Sequence, residues 1–552
     1  MKKNFYSIYV LVFFVVTFLL LNFSFVYAAI TGSQDGTEYT YSSDSGSDNI
    51  LTTKIFNGSY NDVSFDTSSA TKLTVKGADE VATTWDNDTS LTMNDDTFSV
   101  ISVEKIKLNN NNNLKADSFI ISSGSIVNNN SQLTFNDILI DDKAFLYSNI
   151  EKISASEIIN NGNFNITAGK ENNVKITGDG SLSIDDNFKV NAEIMQSNVN
   201  INGKDVKVSS AIKTKNSIKV GNGSTVSGAV ENFEAGVLEN KGTLKFNSDG
   251  NIKTYIKGSG EVQIINGASV INPEGNNIEQ NLIVISTDSS LQTNTISVTL
   301  VKNDGNLIFT GGSDDNESNI MGSGFLDVTG NLNNKAKIDQ SSVTIISGIF
   351  NNLQNSTITT NKITIYDGAC LVTGIYDVVA DENIENNGLM EINTSGTNNN
   401  IIMGGGTLTV SSSVTNSASI TQKTVKISSE LITPLENLTV ENINFERENS
   451  LLQVTDENDF VSNALITGLG NIEKKGSGTL ELSNINTYSG RTIITDGAIK
   501  ISSSNLGSST IYMNGGKLIV DASNEILLDN EINVNENNDI DIEVVSSTVT
   551  LA

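Results

Sequence analysis

The sequence predicts an all-β chain wound as a parallel β-helix, a β-solenoid with rungs of roughly 20 residues, and three observations carry that expectation. A nine-residue pattern, apolar-x-Gly-x-Gly-x-apolar-x-apolar, begins at Ile176, Ile256, Ile320 and Ile402, and again at Ile466 with Lys474 in the last apolar position. A second pattern, apolar-x-Asn-x-Gly-x-apolar-x-apolar, begins at Ile158, Leu238, Val301 and Ile384, and each copy precedes a double-glycine copy by 18, 18, 19 and 18 residues. The same step links Ile338 to Ile358, with Val343 and Ile345 recurring as Ile363 and Ile365. A fixed offset of this size is one turn of a solenoid, and the larger intervals of 80, 64, 82 and 64 residues fit three or four turns. The crossover rule for parallel strands makes the expected hand right-handed.

Within each pattern the apolar residues share one parity, so on a strand they point to one side while the interleaved Lys, Ser, Thr, Asp and Asn meet water. Glycine at the start of such a strand turns a tight corner because it accepts positive φ. Asparagine runs such as Asn109 to Asn113 are read as corners, since Asn tolerates left-handed backbone and stacks from rung to rung. Only two prolines, 18% charged and 37% hydrophobic residues argue against disorder.

The N-terminus reads separately. Lys2 and Lys3 precede an apolar run from Phe5 to Phe25, and Val26-Tyr27-Ala28 offers a cleavage site after Ala28. Residues 1–28 are therefore expected to be a signal peptide, with an uncleaved anchor as the alternative, because the run is long enough to span a bilayer. Residues 29–100 lack the paired patterns, hold the single tryptophan, Trp85, and form the candidate N-terminal cap. The expected solenoid covers 101–465, a distinct repeat covers 466–520, and 521–552 reads as one more irregular rung.

Charge and composition exclude several function classes. Removing residues 1–28 takes away two lysines and no acid, so net charge moves from −30 to −32, and nucleic acid is not an expected partner. The single cysteine, Cys370, excludes an internal disulfide framework and is expected to face the core within Ala369 to Val372. The chain has no histidine, which removes Ser-His and Cys-His mechanisms together with the commonest metal ligand. Ser43-Asp44-Ser45-Gly46-Ser47 has the look of a nucleophile region but lacks a base, so a flexible polar loop is the expectation.

Parallel β-helices also include polysaccharide lyases and glycosidases that work with carboxylates and a basic residue. The candidate acid pairs are Asp95-Asp96, Asp141-Asp142, Asp185-Asp186 and Asp314-Asp315, and adjacent strand residues face opposite ways unless they lie in turns. Arg447 and Arg491 are the only arginines, and neither is near an acid pair in sequence. No calcium-loop motif is present. No catalytic, cofactor-binding or metal-binding residue is therefore nominated, and no cofactor is expected.

The stretch Ile466 to Val520 carries the most specific signal. Gly468, Gly470, Lys474, Gly476, Gly478, Thr479, Leu480, Leu482, Ser483, Asn486, Thr487, Tyr488, Gly490, Thr492, Ile494 and Gly497 match a consensus motif in type and spacing. In these positions it resembles the autotransporter-associated β-strand repeat, and the resemblance covers about a tenth of the chain. It implies the passenger part of a type V secretion system, exported to the cell surface, outer membrane or medium, with folding and transport rather than ligand choice as the motif's role. The expected function is a non-enzymatic β-helical passenger, an adhesin or structural stalk; a carbohydrate-active β-helix enzyme is the alternative. After Val520 only 32 residues follow, whereas even an eight-stranded barrel of about 10-residue strands needs about 80. The implied partners are therefore an outer-membrane translocator barrel not encoded in this chain and a ligand on a host or neighbouring cell.

Overall fold

The computed structural model describes residues 40–44, 50–55, 59–61, 72–77, 84–87, 91–92 and 99–551 apart from 313–314, 535–540 and 546–547. The expected signal peptide lies outside the described residues, as do Asp95-Asp96, Asp314 and Ser45 to Ser47. Parallel strands stack in about 24 turns of roughly 19 residues, forming a β-solenoid. No α-helix occurs among the described residues; three single 3-10 turns lie at Ile150–Lys152, Val230–Asn232 and Leu435–Asn437. Two units divide the chain, residues 1–245 with 253–260 and residues 246–252 with 261–552.

The first unit opens on an antiparallel pair, Thr40–Asp44 against Ile50–Ile55, and from Ile50 onward its pairing is parallel. Alternating apolar residues then fall directly over one another. Leu73, Ile101, Phe119, Ile138, Ile158, Ile176, Ile194, Ile212 and Phe233 form one continuous column of register partners, all buried. Each inward side chain leaves water against the turn before and the turn after, so burial at about 25 cal/mol per Å² accumulates rung by rung rather than in one central core.

The second unit is built the same way. Leu291, Leu307, Leu326, Val343, Ile363, Ile384, Ile402, Ile420 and Leu438 form a buried column, and Val301, Ile320, Ile338, Ile358 and Val378 a parallel one. Ile338 pairs with Ile358, Val343 with Ile363 and Ile345 with Ile365, as the 20-residue step predicts. All four paired motifs are direct lateral neighbours: Ile158 with Ile176, Leu238 with Ile256, Val301 with Ile320 and Ile384 with Ile402.

The larger intervals need a refinement. Ile176 stands in the column of Ile158 and Ile194, whereas Ile256 stands over Leu238, whose column runs back through Ile218 and Val199 to Leu182. Successive motif copies therefore advance by whole turns plus one face, the step from Ile176 to Leu182. Long strands that run around a corner, such as Ile194–Ile201 and Val378–Asn386, make the change of face possible: Ile194 joins one column and Val199 the next.

Polar residues also occupy inward positions, many of them in hydrogen-bonded stacks that meet the needs of a buried amide. Asn87 donates to Asn110 (2.6 Å), Asn110 to Asn129 (2.7 Å) and Asn129 to Ser148 (2.9 Å). In the second unit Asn316 donates to Asn334 and Asn334 to Asn352, each at 2.8 Å, and Asn352 to Thr373 at 3.2 Å. The run Asn109 to Asn113 does stack, Asn110 inside and Asn109 outside against Asn128, but its backbone is not left-handed. Among the described residues positive φ outside glycine falls at Lys105, Lys143, Asn266, Asp288 and Asn355, because the amide ladder, rather than the turn, selects asparagine in that run.

A three-residue device recurs where the two motifs meet. Asn160 donates to Gln196 (2.6 Å), Asn303 to Gln340 (2.6 Å) and Asn386 to Gln422 (2.7 Å), each pair spanning two turns. The residue between them is Gly178, Gly322 or Gly404, the first glycine of each double-glycine motif. Gly178 has φ +114°, and a Cβ there would collide with the carbonyl oxygen of Asn160, so only glycine clears the path.

Cys370 departs from expectation. Strand Cys370–Thr373 alternates so that Leu371 and Thr373 take the inward places, which leaves Cys370 half-buried on the outer face between its register partners Ile349 and Leu389.

Candidate functional site

The segment bearing the specific motif folds as two strands per turn plus a folded corner. Strand Asn471–Lys474 stacks between Leu451–Val454 and Arg491–Ile494; Thr479–Leu482 stacks between Phe460–Ser462 and Ala498–Ile501. The third side of the turn, residues 483–490, is not a strand, and it is here that the motif's polar residues turn inward. Asn486 accepts from the Ile466 N–H (2.8 Å) and donates to the Asn505 carbonyl (2.8 Å), while Asn505 donates to the Asn484 carbonyl (2.7 Å), so the corner is stapled to both neighbouring turns.

Tyr488 is fully buried against Phe445, ring to ring edge-on at 6.3 Å. Its hydroxyl shares a 2.6 Å hydrogen bond with Thr492, which shares another of 2.7 Å with Ser509. Burial pushes the phenol up to about 12, only partly offset by those two hydroxyls. The backbone of Gly490 passes over that of Gly470 so closely that a Cβ would strike the Gly470 carbonyl.

Lys474 takes an inward position that other copies give to an aliphatic residue, and it is fully buried. Its ammonium donates to the carbonyls of Gly476 and Asp456. Burial pushes its pKa down, opposed by the charges of Asp456, Asp496, Glu457 and Asp459. The buried Asp456 carboxylate in turn accepts from the N–H groups of Leu435 (2.8 Å) and Glu436 (3.1 Å) at the start of a 3-10 turn. Lys474, Asp456 and the Leu435 turn thus tie together three successive rungs, and the role this arrangement supports is cohesion: neither Lys474 nor Tyr488 reaches the surface.

Among the described residues, the acidic pairs do not assemble into shared sites. Asp141 and Asp142 lie in a corner closed by the Ala144 N–H on the Asp141 carbonyl, where burial pushes the Asp141 carboxyl up. Asp185 accepts from Asn202 (2.8 Å) and Asp186 from the Asn187 N–H (2.7 Å). Asp315 is held well down by Lys335 and Asn333. Arg491 stands on the outer face with its guanidinium carbon 5.3 Å from the centre of the Tyr512 ring, in a cleft that Glu448 also lines but no member of those pairs does. No three His, Cys, Asp or Glu side chains converge as a metal site among the described residues.

These features define a class, a β-solenoid repeat protein whose most specific segment is a rung-to-rung lock. Residues 472–501 match the family model of the Passenger-associated-transport-repeat, so the chain carries an autotransporter passenger-type repeat. No curated protein and no solved structure shows significant similarity to the chain. The matched span contains Lys474, Asn486, Tyr488 and Thr492, the residues that make the lock.

Proposed function

We infer that the chain is a non-enzymatic β-helical passenger, exported by its N-terminal segment and displayed at the outer membrane or released, where it serves as an adhesin or structural stalk. The match of residues 472–501 to a passenger transport repeat, set in a parallel β-solenoid, is the observation that carries this reading. An acidic, lysine-paired exterior supports it: Lys213–Glu193, Lys362–Glu385 and Lys500 with Glu481 and Asp521 bridge adjacent turns without forming a reactive cluster. Passage to the surface calls for an outer-membrane translocator barrel, and the ligand lies on a host or neighbouring cell.

Antibody labelling of intact source cells and culture medium, with membrane fractionation, tests the route. Surface or medium labelling is expected; retention in the cytoplasm or periplasm would overturn it. The carbohydrate-active alternative is tested by assaying the purified chain for reducing-end or unsaturated-sugar release. Activity abolished by an Asp→Asn change would establish that alternative.

A further inference from the structure

The chain has two arginines against 32 lysines, and one of them, Arg491, lines a surface cleft. Arg491 projects outward from strand Arg491–Ile494, and Arg447 directly precedes Glu448 in the corner that forms one rim of the same cleft. The cleft measures about 670 Å³, within the range of small-ligand sites. Nearby lysines are already neutralised, Lys475 by Glu473 and Lys500 by Glu481 and Asp521. Arg491 has no carboxylate partner among the described residues; its guanidinium rests instead on Tyr512. In a chain of net charge −30, a guanidinium with no ion-pair partner among the described residues, seated in a cleft, is open to an anionic ligand.

The walls specify what kind. Asn471 is fixed by four contacts of its own strand and side chain: its Oδ1 accepts from the Arg491 N–H (2.8 Å), its Nδ2 donates to the carbonyls of Glu448 (2.9 Å) and Ser450 (3.1 Å), and its N–H donates to Ser450. That amide holds Arg491 and the Glu448 rim in one geometry. Leu469, half exposed at 49%, together with Ile493 and Tyr512 gives an apolar side, while Asn449, Asn471, Ser489 and Thr510 offer amides and hydroxyls and the Glu448 carboxylate stands on the rim. A guanidinium fork matches a carboxylate, and an apolar wall beside amides and hydroxyls matches the C–H face and hydroxyl edge of a pyranose ring.

A peptide fits less well. The floor strand is paired on both sides, with Asn471–Lys474 and Thr510–Met513, so its backbone groups are engaged and offer no edge for an added strand.

We propose that this cleft binds a carboxylate-bearing saccharide, with Arg491 gripping the carboxylate and Tyr512, Leu469 and Ile493 supporting the ring. The site stands on its own geometry, so it deepens the surface-display reading by naming a ligand class without depending on where the chain is located. Isothermal titration of the full chain with a hexuronate trisaccharide, its neutral hexose counterpart and triglutamate tests it, and circular dichroism melting checks that each variant folds. The acidic trisaccharide should bind saturably and at least about tenfold more tightly than the neutral one, the difference a charged hydrogen-bonded pair supplies. Arg491→Lys, which keeps the charge and most of the stem, should cost about tenfold through loss of the bidentate fork, and Arg491→Ala should abolish the preference for the acid. Lys335→Ala should change nothing. Absence of binding by the acidic trisaccharide, equal binding of the neutral one, indifference to both Arg491 variants, or equal binding of triglutamate would each overturn the proposal.

Discussion

Asn160 donates to Gln196 at 2.6 Å although a whole turn, that of Gly178, lies between them. The bond exists because Gly178 has no side chain to fill the gap, and the same arrangement recurs at Asn303 with Gln340 and Asn386 with Gln422. Gly178→Ala places a Cβ against the Asn160 carbonyl on backbone of positive φ, and a cost on the order of 2–4 kcal/mol is expected. Urea unfolding followed by circular dichroism measures it. A midpoint unchanged from that of the parent chain would contradict the close approach.

Asn334 sits in the middle of an inward amide stack, accepting from Asn316 and donating to both Asn352 and the Ala336 carbonyl. Asn334→Ala strands partners on both neighbouring turns, and about 2–4 kcal/mol of destabilisation is expected, well above that of an exposed Asn→Ala change such as at Asn484. Comparing the two variants in the same urea experiment decides the matter. Equal, small effects would mean the stack contributes nothing net.

Tyr488 and Lys474 give the repeat opposite responses to alkali. The phenol is raised from 10 to about 12, so its contribution is complete below pH 10 and is lost as pH climbs from about 10 through 12, on the order of 2–3 kcal/mol in all. The Lys474 ammonium is lowered by burial, so the folded chain holds that proton less tightly than the unfolded one, and stability rises as pH climbs toward 10.5. Unfolding midpoints between pH 8 and 11.5 should show a smaller alkaline loss in Tyr488→Phe and a smaller rise below 10.5 in Lys474→Met. Profiles of both variants parallel to the parent's would refute these assignments.

Cys370 is half-buried, and burial together with Glu391 raises its thiol. Reaction with a disulfide reagent at pH 8 should be slower in the folded chain than in urea by about tenfold or more, since the thiolate is the reacting form. Equal rates would show a fully open thiol.

Most of the winding was legible because a parallel solenoid writes itself into the chain as parity plus a fixed offset. Ile158 and Ile176, or Ile338 and Ile358, are register partners that a sequence interval alone identifies. The placement of faces was not legible, since the corner-rounding strands Ile194–Ile201 and Val378–Asn386 carry no break in pattern where they change face. Cys370 was misplaced for a related reason: in Cys-Leu-Val-Thr every residue tolerates burial, and only the register with Ile349 fixes which parity points inward. Gln196, Gln340 and Gln422 went unnoticed although Ile-x-Gln follows the double-glycine motifs at Ile176, Ile320 and Ile402 by one turn, because glutamine at an inward position reads as solvent-facing until its partner two turns away is known. At the repeat, the motif residues were found, but their chemistry was not: a lysine in an aliphatic slot gives no hint that carbonyls of Asp456 and Gly476 receive it.

The Asn–Gly–Gln triads have a consequence for how the windings find their proper partners. A stack of near-identical aliphatic layers is forgiving of slippage, since isoleucine over isoleucine looks much the same one layer up or down. A bond that skips a layer is not forgiving: displaced by one step, Asn160 would meet Gly178's neighbour without a gap, and Gln196 would lose its partner. Such index marks, at Asn160, Asn303 and Asn386, penalise misalignment in the stretches where the surrounding hydrophobic layers cannot.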